Sequence, residues 1–508
     1  MVRREAASYS TRRGGVGRVW RDWLLVSAMV IVERLRGRNW GRLARLIAPL
    51  GALLLEGWPA LGGALLVQEG GLWLAGRLAG GCQRSFARGL FLGAFGLRVA
   101  IALPTHYIAK AGNGSGALFQ DDYTNDLVGE WLVRLARGDG SVAIFAGHQY
   151  LLSSIYTYLL MAMYSVFGYS PLLPKLVNIG LAGLCAVLIF EIARKSVGMP
   201  AAVIAGIGAA VLPSLVVWSV AALKETLVLF TCLVGLWVLQ FLTGAERRNP
   251  RIVDALVVQL GIVFILLDLR ASTAASLVGL LAIVFLARSH VRLRPWQSAV
   301  LAIAVLGLLA GGGALLRARS SDRPLTTLVE DAALQIRHRR AQEAASARSQ
   351  LRPEIDVLSP TGSQLPAAEA ASDAAPFSLL NDVIDPLGYA LLAPAPWQAQ
   401  SKPELAASAE MSVWYVLLAA SPFAWVAAPR PRLFLTCLIV FGIANWLILA
   451  AVEGNVGNLL RHRLSLDAVL LIVGSAGLQW LASRVVALQL LAGARQAILP
   501  HEHVTEHR

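Results

Sequence analysis

Residues 172–195 read LLPKLVNIGLAGLCAVLIFEIARK. The run up to Ala193 is apolar over most of its length and then stops on Arg194-Lys195. At about 1.5 Å of rise per residue, such a run crosses the ~30 Å hydrocarbon layer of a bilayer as one helix, with the basic pair left among the headgroups. The pattern recurs along the chain. Crossings are predicted near 88–107, 172–193, 198–218, 226–243, 252–269, 271–288, 297–316, 411–429, 433–452 and 466–482. These runs predict an all-α, polytopic transmembrane protein of about ten spans.

Composition supports that class. Of the 508 residues, 56% are hydrophobic and 15% charged. A soluble protein carries roughly 25% charged residues. The formal net charge of +14 does not form a soluble basic domain that would engage nucleic acid. It flanks apolar runs, as insertion preference demands. Arginines crowd the first forty-five residues, from Arg3 and Arg4 to Arg42 and Arg45, with no signal-peptide core after them, so anionic membrane lipid is their expected partner. Cys82, Cys185, Cys232 and Cys437 are scattered and form no CxxC pair, which implies neither a zinc site nor a disulfide framework.

Charge bias sets the orientation. Arg194, Lys195, Arg247, Arg248, Arg251, Arg288, Arg292, Arg294, Arg430 and Arg432 fall in short loops on one side. Lys110, Arg134, Arg137, Lys224, Arg270, Arg461 and Arg463 fall on the other, spread over more residues. The first side is expected to be cytoplasmic, together with both termini. Two further apolar stretches, 46–67 (with Glu56 and the Trp58-Pro59 break) and 148–168 (rich in Tyr and Ser), are expected at the interface. A crossing at 148–168 would reverse the bias.

The chain then divides into a basic cytoplasmic or interfacial segment (1–85), a transmembrane module (86–316) with a first outer loop (109–171), a long outer loop (317–410), C-terminal transmembrane helices (411–482) and a cytoplasmic tail (483–508). Within the long loop, prolines in the apolar piece Pro386–Trp397 argue for a re-entrant or surface-dipping element. The tail histidines His501, His503 and His507 read as a solvated terminus.

Unusual polar residues collect on the outer side. Phe119-Gln-Asp-Asp-Tyr-Thr-Asn-Asp126 follows the first span, and a helix is predicted from Tyr123 to Arg137, ending at Gly138. Leu127, Val128, Trp131, Leu132 and Leu135 share one face of it, suited to lying on the bilayer. Asp122 and Asp126 project from one side. One cap explains one aspartate, not three. A carboxylate cluster of this kind suits a general base, or a ligand set for Mg²⁺ or Mn²⁺ at Asp121 and Asp122. Lys224 and Glu225 stand at the outer edge of the fourth span, and Arg270 at the turn between the fifth and sixth. Arg461-His462-Arg463 stands before the last span. Two arginines on the side that insertion disfavours suit a phosphate, whose oxygens a guanidinium grips in a bidentate way. Arg98, inside the first span, must face the protein interior or pair with a carboxylate, and reads as structural.

In this order, these residues resemble the GT-C superfamily of membrane glycosyltransferases, the bacterial relatives of protein O-mannosyltransferases and of the lipid A aminoarabinose transferase in particular. The features are Asp121-Asp122 after the first span, His148 to Phe167-Gly168, Ile192-Ala-Arg-Lys195, Pro213 with Ser219 and Glu225, the Leu-Leu-Ala-Pro-Ala-Pro-Trp397 piece, and Gly454-Asn to Arg463, spread over roughly 88–480. The second acidic residue is Asp where that group has Glu. The resemblance implies transfer, with inversion, of a sugar from a polyprenyl-phosphate donor to a glycan, lipid or protein acceptor at the periplasmic face of the bacterial inner membrane. It implies Asp121 as general base, with Asp122 orienting the acceptor or a metal. Arg461, Arg463 and Arg270 would hold the donor phosphate, and Asp126, His148, Lys224, Glu225 and His462 would contact or orient substrate.

Two other classes compete. An outer-face polymerase or ligase of lipid-linked polysaccharide also has ten or more spans and outer arginines, and uses diphosphate-linked donors. A transporter would place polar residues at the midplane of repeated halves, which the sequence does not suggest.

Overall fold

The structure is a computed structural model that describes residues 38–139, 154–244, 251–288, 384–398, 402–428, 432–453 and 456–498. His148, the expected span at 297–316, most of the long loop and the tail histidines lie outside them. The described residues are helical, with no strand among them. Seven of the helices are long and apolar enough to cross a membrane, within Gly81–Asn113, Leu172–Ser196, Glu225–Gly244, Arg251–Ala287, Ala407–Ala427, Leu433–Ala451 and Leu464–Val486.

The N-terminal stretch differs from the expectation of a surface segment. It forms two helices, α1 (Arg38–Glu56) and α2 (Trp58–Ala79), reversed at Gly57, whose φ of 75° suits glycine. The pair is antiparallel: Gln68 Nε2 donates to the carbonyl of Arg45 at 3.2 Å. Small residues (Ala60, Gly63, Ala64, Gly71, Ala75) line the buried face of α2. They admit Leu173 at Gly63, Phe91 at Gly71 and Arg88 at Gly76, each too close for an added Cβ. That order runs α2 antiparallel to α3 (Arg84–Asn113) and lengthwise against the bundle. The apolar stretch 46–67, expected at the interface, covers the second half of α1 and the first half of α2; Gln68, Glu69 and Arg77 interrupt the rest of α2, which Gly and Ala pack.

After α3 the chain forms α4 (Gln120–Ala136) and α5 (Ile155–Phe167). With 13 residues, α5 is about 20 Å long, too short to span. Its N-cap, Ser154, accepts from the Tyr156 N–H at 3.3 Å. The apolar face of α4 does not lie open to lipid: Val128, Leu132 and Val133 are buried, and Gly129 of α4 meets Leu160 and Tyr164 of α5. Leu135, expected on that face, is exposed.

α6 (Leu172–Ser196) is the central strut, buried over most of its length. The third run does not reach 218 as one helix. α7 (Met199–Val211) stops after 13 residues, Pro213 opens the five-residue α8 (Pro213–Val217), and Ser219 to Leu223 continue as buried, irregular backbone. Such backbone persists only where side chains satisfy it. Arg98, buried in α3, does so: it donates to the carbonyls of Ala210 at 2.9 Å, Ala209 at 3.2 Å and Leu215 at 3.3 Å, and to Ser219 Oγ at 2.9 Å. The arginine faces the interior, as expected, but carbonyls rather than a carboxylate receive it.

α9 (Glu225–Gly244) leads to α10 (Arg251–Arg288), whose backbone leaves the helical region only at Arg270 (φ −161°, ψ 90°). Ile262 and Leu277, on either side of that residue, both crowd Gly235 of α9. Along one straight helix they would stand about 22 Å apart, so the chain reverses at Arg270 and gives the two arms expected at 252–269 and 271–288. The apolar piece of the long loop is α11 (Asp385–Leu392), docked through its carbonyls: Trp446 Nε1 donates to Leu387 O and Trp414 Nε1 to Leu391 O, each at 2.9 Å. α12 (Lys402–Ala420), α13 (Leu433–Val452), the short α14 (Val456–His462) and α15 (Leu464–Ile498) complete the fold. The segment 483–498, expected to be tail, continues α15 as helix.

Candidate functional site

Four chain segments that sequence separates widely meet at one end of the bundle. Asp121 comes from the first turn of α4, Glu225 from the start of α9, Arg270 from the reversal in α10, and Arg461 from α14. Arg461 Nη1 donates to Asp121 Oδ2 at 2.6 Å across 340 positions of sequence. Its Nε lies 3.2 Å from Glu225 Oε1, and Arg270 Nη2 approaches the same oxygen at 3.4 Å. Glu225 is buried (2% exposed) while Asp121 is 59% exposed, so the two carboxylates hold Arg461 from opposite sides, one inside the protein and one in solvent.

The fold dictates this convergence. Pro213 breaks the third run early, and the following loop carries Glu225 into the interior. Asn178 pins that loop by donating to Ala221 O at 2.7 Å and Leu223 O at 2.8 Å. Arg270 can point inward because the backbone turns there, and its Nη1 reaches the carbonyl of His462 at 3.5 Å. His462 in turn is hydrogen-bonded through Nδ1 to Glu453, which is buried. Burial, with Arg270 and Arg461 nearby, lowers the His462 pKa against the pull of Glu453. Burial opposes the charge of Arg461, but Glu225 and Asp121 outweigh it and raise its pKa. Lys224 is half-buried beside Glu225, with its pKa lowered by burial.

The adjacent aspartates part company. Asp122 points inward and is 2% exposed. Its Oδ2 accepts from Leu118 N–H at 2.9 Å and its Oδ1 from Ala222 N–H at 3.0 Å, with Lys175 Nζ 3.4 Å away. Its role is to tie the loop after α3 to the irregular segment before α9. Asp121 and Asp122 therefore do not form one ligand pair, and among the described residues no three His, Cys, Asp or Glu side chains are grouped to hold a metal ion. The expected Mg²⁺ or Mn²⁺ set does not fit. Asp126, a turn further on, accepts from Tyr164 and, at 2.7 Å, from Tyr169. Burial raises its pKa despite those donors.

Arg463, expected beside Arg461, points elsewhere: it stands at the turn between α14 and α15. It is buried over the Trp414 ring at 4.4 Å, donates to Ala393 O at 2.9 Å and lies 3.4 Å from Asp467. Asp467 and Glu410 both face Ser214 there. This second charged cluster locks α11, α12 and α15 together.

Sequence reading missed Lys175, buried in the first turn of α6 and donating to Gly116 O at 2.5 Å. It links Asp122 to His106, whose Nε2 is 2.8 Å from Glu56 of α1. Glu410 and Asp467 were missed as well. The available signal was the same for all three, a charge inside or at the edge of an apolar run. No family model, no curated protein and no solved structure matches the chain.

Proposed function

We propose that this chain is a membrane glycosyltransferase of the GT-C kind, acting at the periplasmic face of a bacterial inner membrane with a polyprenyl-phosphate sugar as donor. One observation carries the reading: Arg461 is held between an exposed carboxylate, Asp121, and a buried one, Glu225, with Arg270 on the same Glu225 oxygen. In this reading the two arginines are the phosphate site and Asp121 beside them is the base.

In this mechanism an acceptor hydroxyl gives its proton to Asp121 as its oxygen attacks the anomeric carbon. The bond from that carbon to the phosphate oxygen breaks on the opposite face, so configuration inverts. The leaving polyprenyl phosphate gains negative charge, which Arg461 and Arg270 stabilise in a setting poorer in water than bulk. Glu225 aims both guanidiniums. Arg463 and Asp122 maintain the frame and do not touch substrate.

The test is transfer of labelled sugar from polyprenyl monophosphate in vesicles. Asp121→Asn should lower the rate by roughly 10²–10⁴-fold, the usual worth of a general base, at unchanged abundance. Unimpaired transfer by that variant removes Asp121 from the role. Transfer only from diphosphate-linked glycan would move the protein to the polymerase and ligase class.

A further inference from the structure

We infer that Asp121 is the resting counter-ion of Arg461 and that the phosphodiester of the lipid donor takes its place, so the base is released only when donor is bound. This rests on the proposed function of the same site. Arg461 has two anionic partners, and only one of them can leave. Glu225 is buried and also faces Arg270, so releasing it would strand a charge inside the protein. Asp121 is already largely solvated and sits in the first turn of α4, where the helix dipole favours a free carboxylate. A rotamer change suffices to swing it off Arg461.

The exchange is charge-matched. One carboxylate leaves and one phosphodiester, also a monoanion, arrives. A diphosphate would bring extra negative charge against the fixed Glu225. Once displaced, Asp121 stands next to the group that displaced it, which is where an acceptor hydroxyl must approach. While it is paired with Arg461, its Oδ2 is taken up by the guanidinium and is not open to an acceptor hydroxyl. Donor binds first, acceptor second, and an empty site holds no free base.

The experiment measures binding, not turnover. Full-length protein in phosphatidylcholine nanodiscs is titrated with polyprenyl phosphoglucose and, separately, with a polyprenyl diphosphate sugar. Asp121→Asn should bind the monophosphate probe about two- to five-fold more tightly than wild type, the factor expected on removing an exposed competing pair. Asp121→Ala should do the same, and Arg461→Ala should lose binding. Unchanged or weaker binding in both Asp121 variants, with Arg461→Ala still defective, overturns the exchange and leaves the phosphate site standing. Binding indifferent to Arg461→Ala overturns the proposed function as well. Preference for the diphosphate probe overturns the charge-matching.

Discussion

Replacing Arg98 by methionine tests whether the irregular segment before α9 is built as described. In an unbroken helix, Ala209 O would accept from residue 213, but Pro213 has no N–H. Ala210 O would accept from Ser214 N–H, which instead donates to Glu410 at 2.7 Å. Leu215 O would accept from Ser219 N–H, which turns to Val216 O at 3.2 Å. Arg98 serves all three carbonyls. Each buried carbonyl left without a donor costs about 1–3 kcal/mol, and removing the desolvated guanidinium offsets part of the sum, so a net loss of about 3 kcal/mol is expected for Arg98→Met. Thermal and denaturant unfolding of the purified protein in detergent would measure it. Arg98→Lys, with a single ammonium in place of the fork, should fall between. Pro213→Ala should not rescue Arg98→Met, because ψ of 123° at Leu212 turns the N–H of residue 213 away from Ala209 O, and a double-mutant cycle should read no coupling. Arg98→Met should also weaken polyprenyl-phosphate binding, because Glu225 follows the segment that Arg98 holds. An Arg98→Met protein as stable as wild type would refute the reasoning.

Other substitutions reach different parts of the argument. An added Cβ at Gly477 of α15 would lie 1.8 Å from the Ala420 carbonyl of α12, and backbone cannot yield, so Gly477→Ala should destabilise by about 1–3 kcal/mol or more in the same unfolding assay. Asp126 has a folded pKa raised by burial, so its contribution is fully present below the unfolded value of about 3.9 and is lost as pH rises through the folded one. Asp126→Asn should therefore flatten the fall in unfolding midpoint above about pH 4, and identical pH profiles would exclude that origin. Cysteine placed at Gly57 should react with an impermeant maleimide from the same side as one at Asn113, while native Cys82, which is exposed, reacts from the opposite side. Equal labelling of all three from one face would dismantle the α1–α2 hairpin as placed.

The legible part of this fold was whatever depends on hydropathy and end charges. Runs such as 172–193 and 433–452 keep nearly their expected limits because length and apolarity decide them alone. The helix after Phe119 was legible for a different reason: acidic residues open it and Gly138, at φ 83°, closes it. What stayed hidden depends on partners distant in sequence. α2 shows in part as an apolar stretch, but it packs by shape, through Gly and Ala, so its place against α3 and α6 leaves no trace in hydropathy. The break after Val211 needs Arg98 from another helix to be tolerable, and Pro213 alone does not announce it.

The candidate site shows the same division at finer scale. That Asp121 and Arg461 share an end of the molecule followed from counting crossings and basic loops, a one-bit parity argument that survives errors in helix boundaries. Which members of each pair face the site did not follow, since Asp121 and Asp122, or Arg461 and Arg463, are equivalent by composition. Backbone direction separates them: Asp122 is drawn inward by the N–H groups of Leu118 and Ala222, and Arg463 by Asp467 and the carbonyl of Ala393. The inward members satisfy buried backbone, and that anchoring leaves the outward members at the surface with little but each other and Glu225 to hold them. An ion pair so placed is weak enough for an incoming anion to open, whereas the inward pairs are not. On the proposed function, the parity of the spans thus fixes where chemistry can occur, and the buried pairs beside it fix which carboxylate and which guanidinium are free to take part.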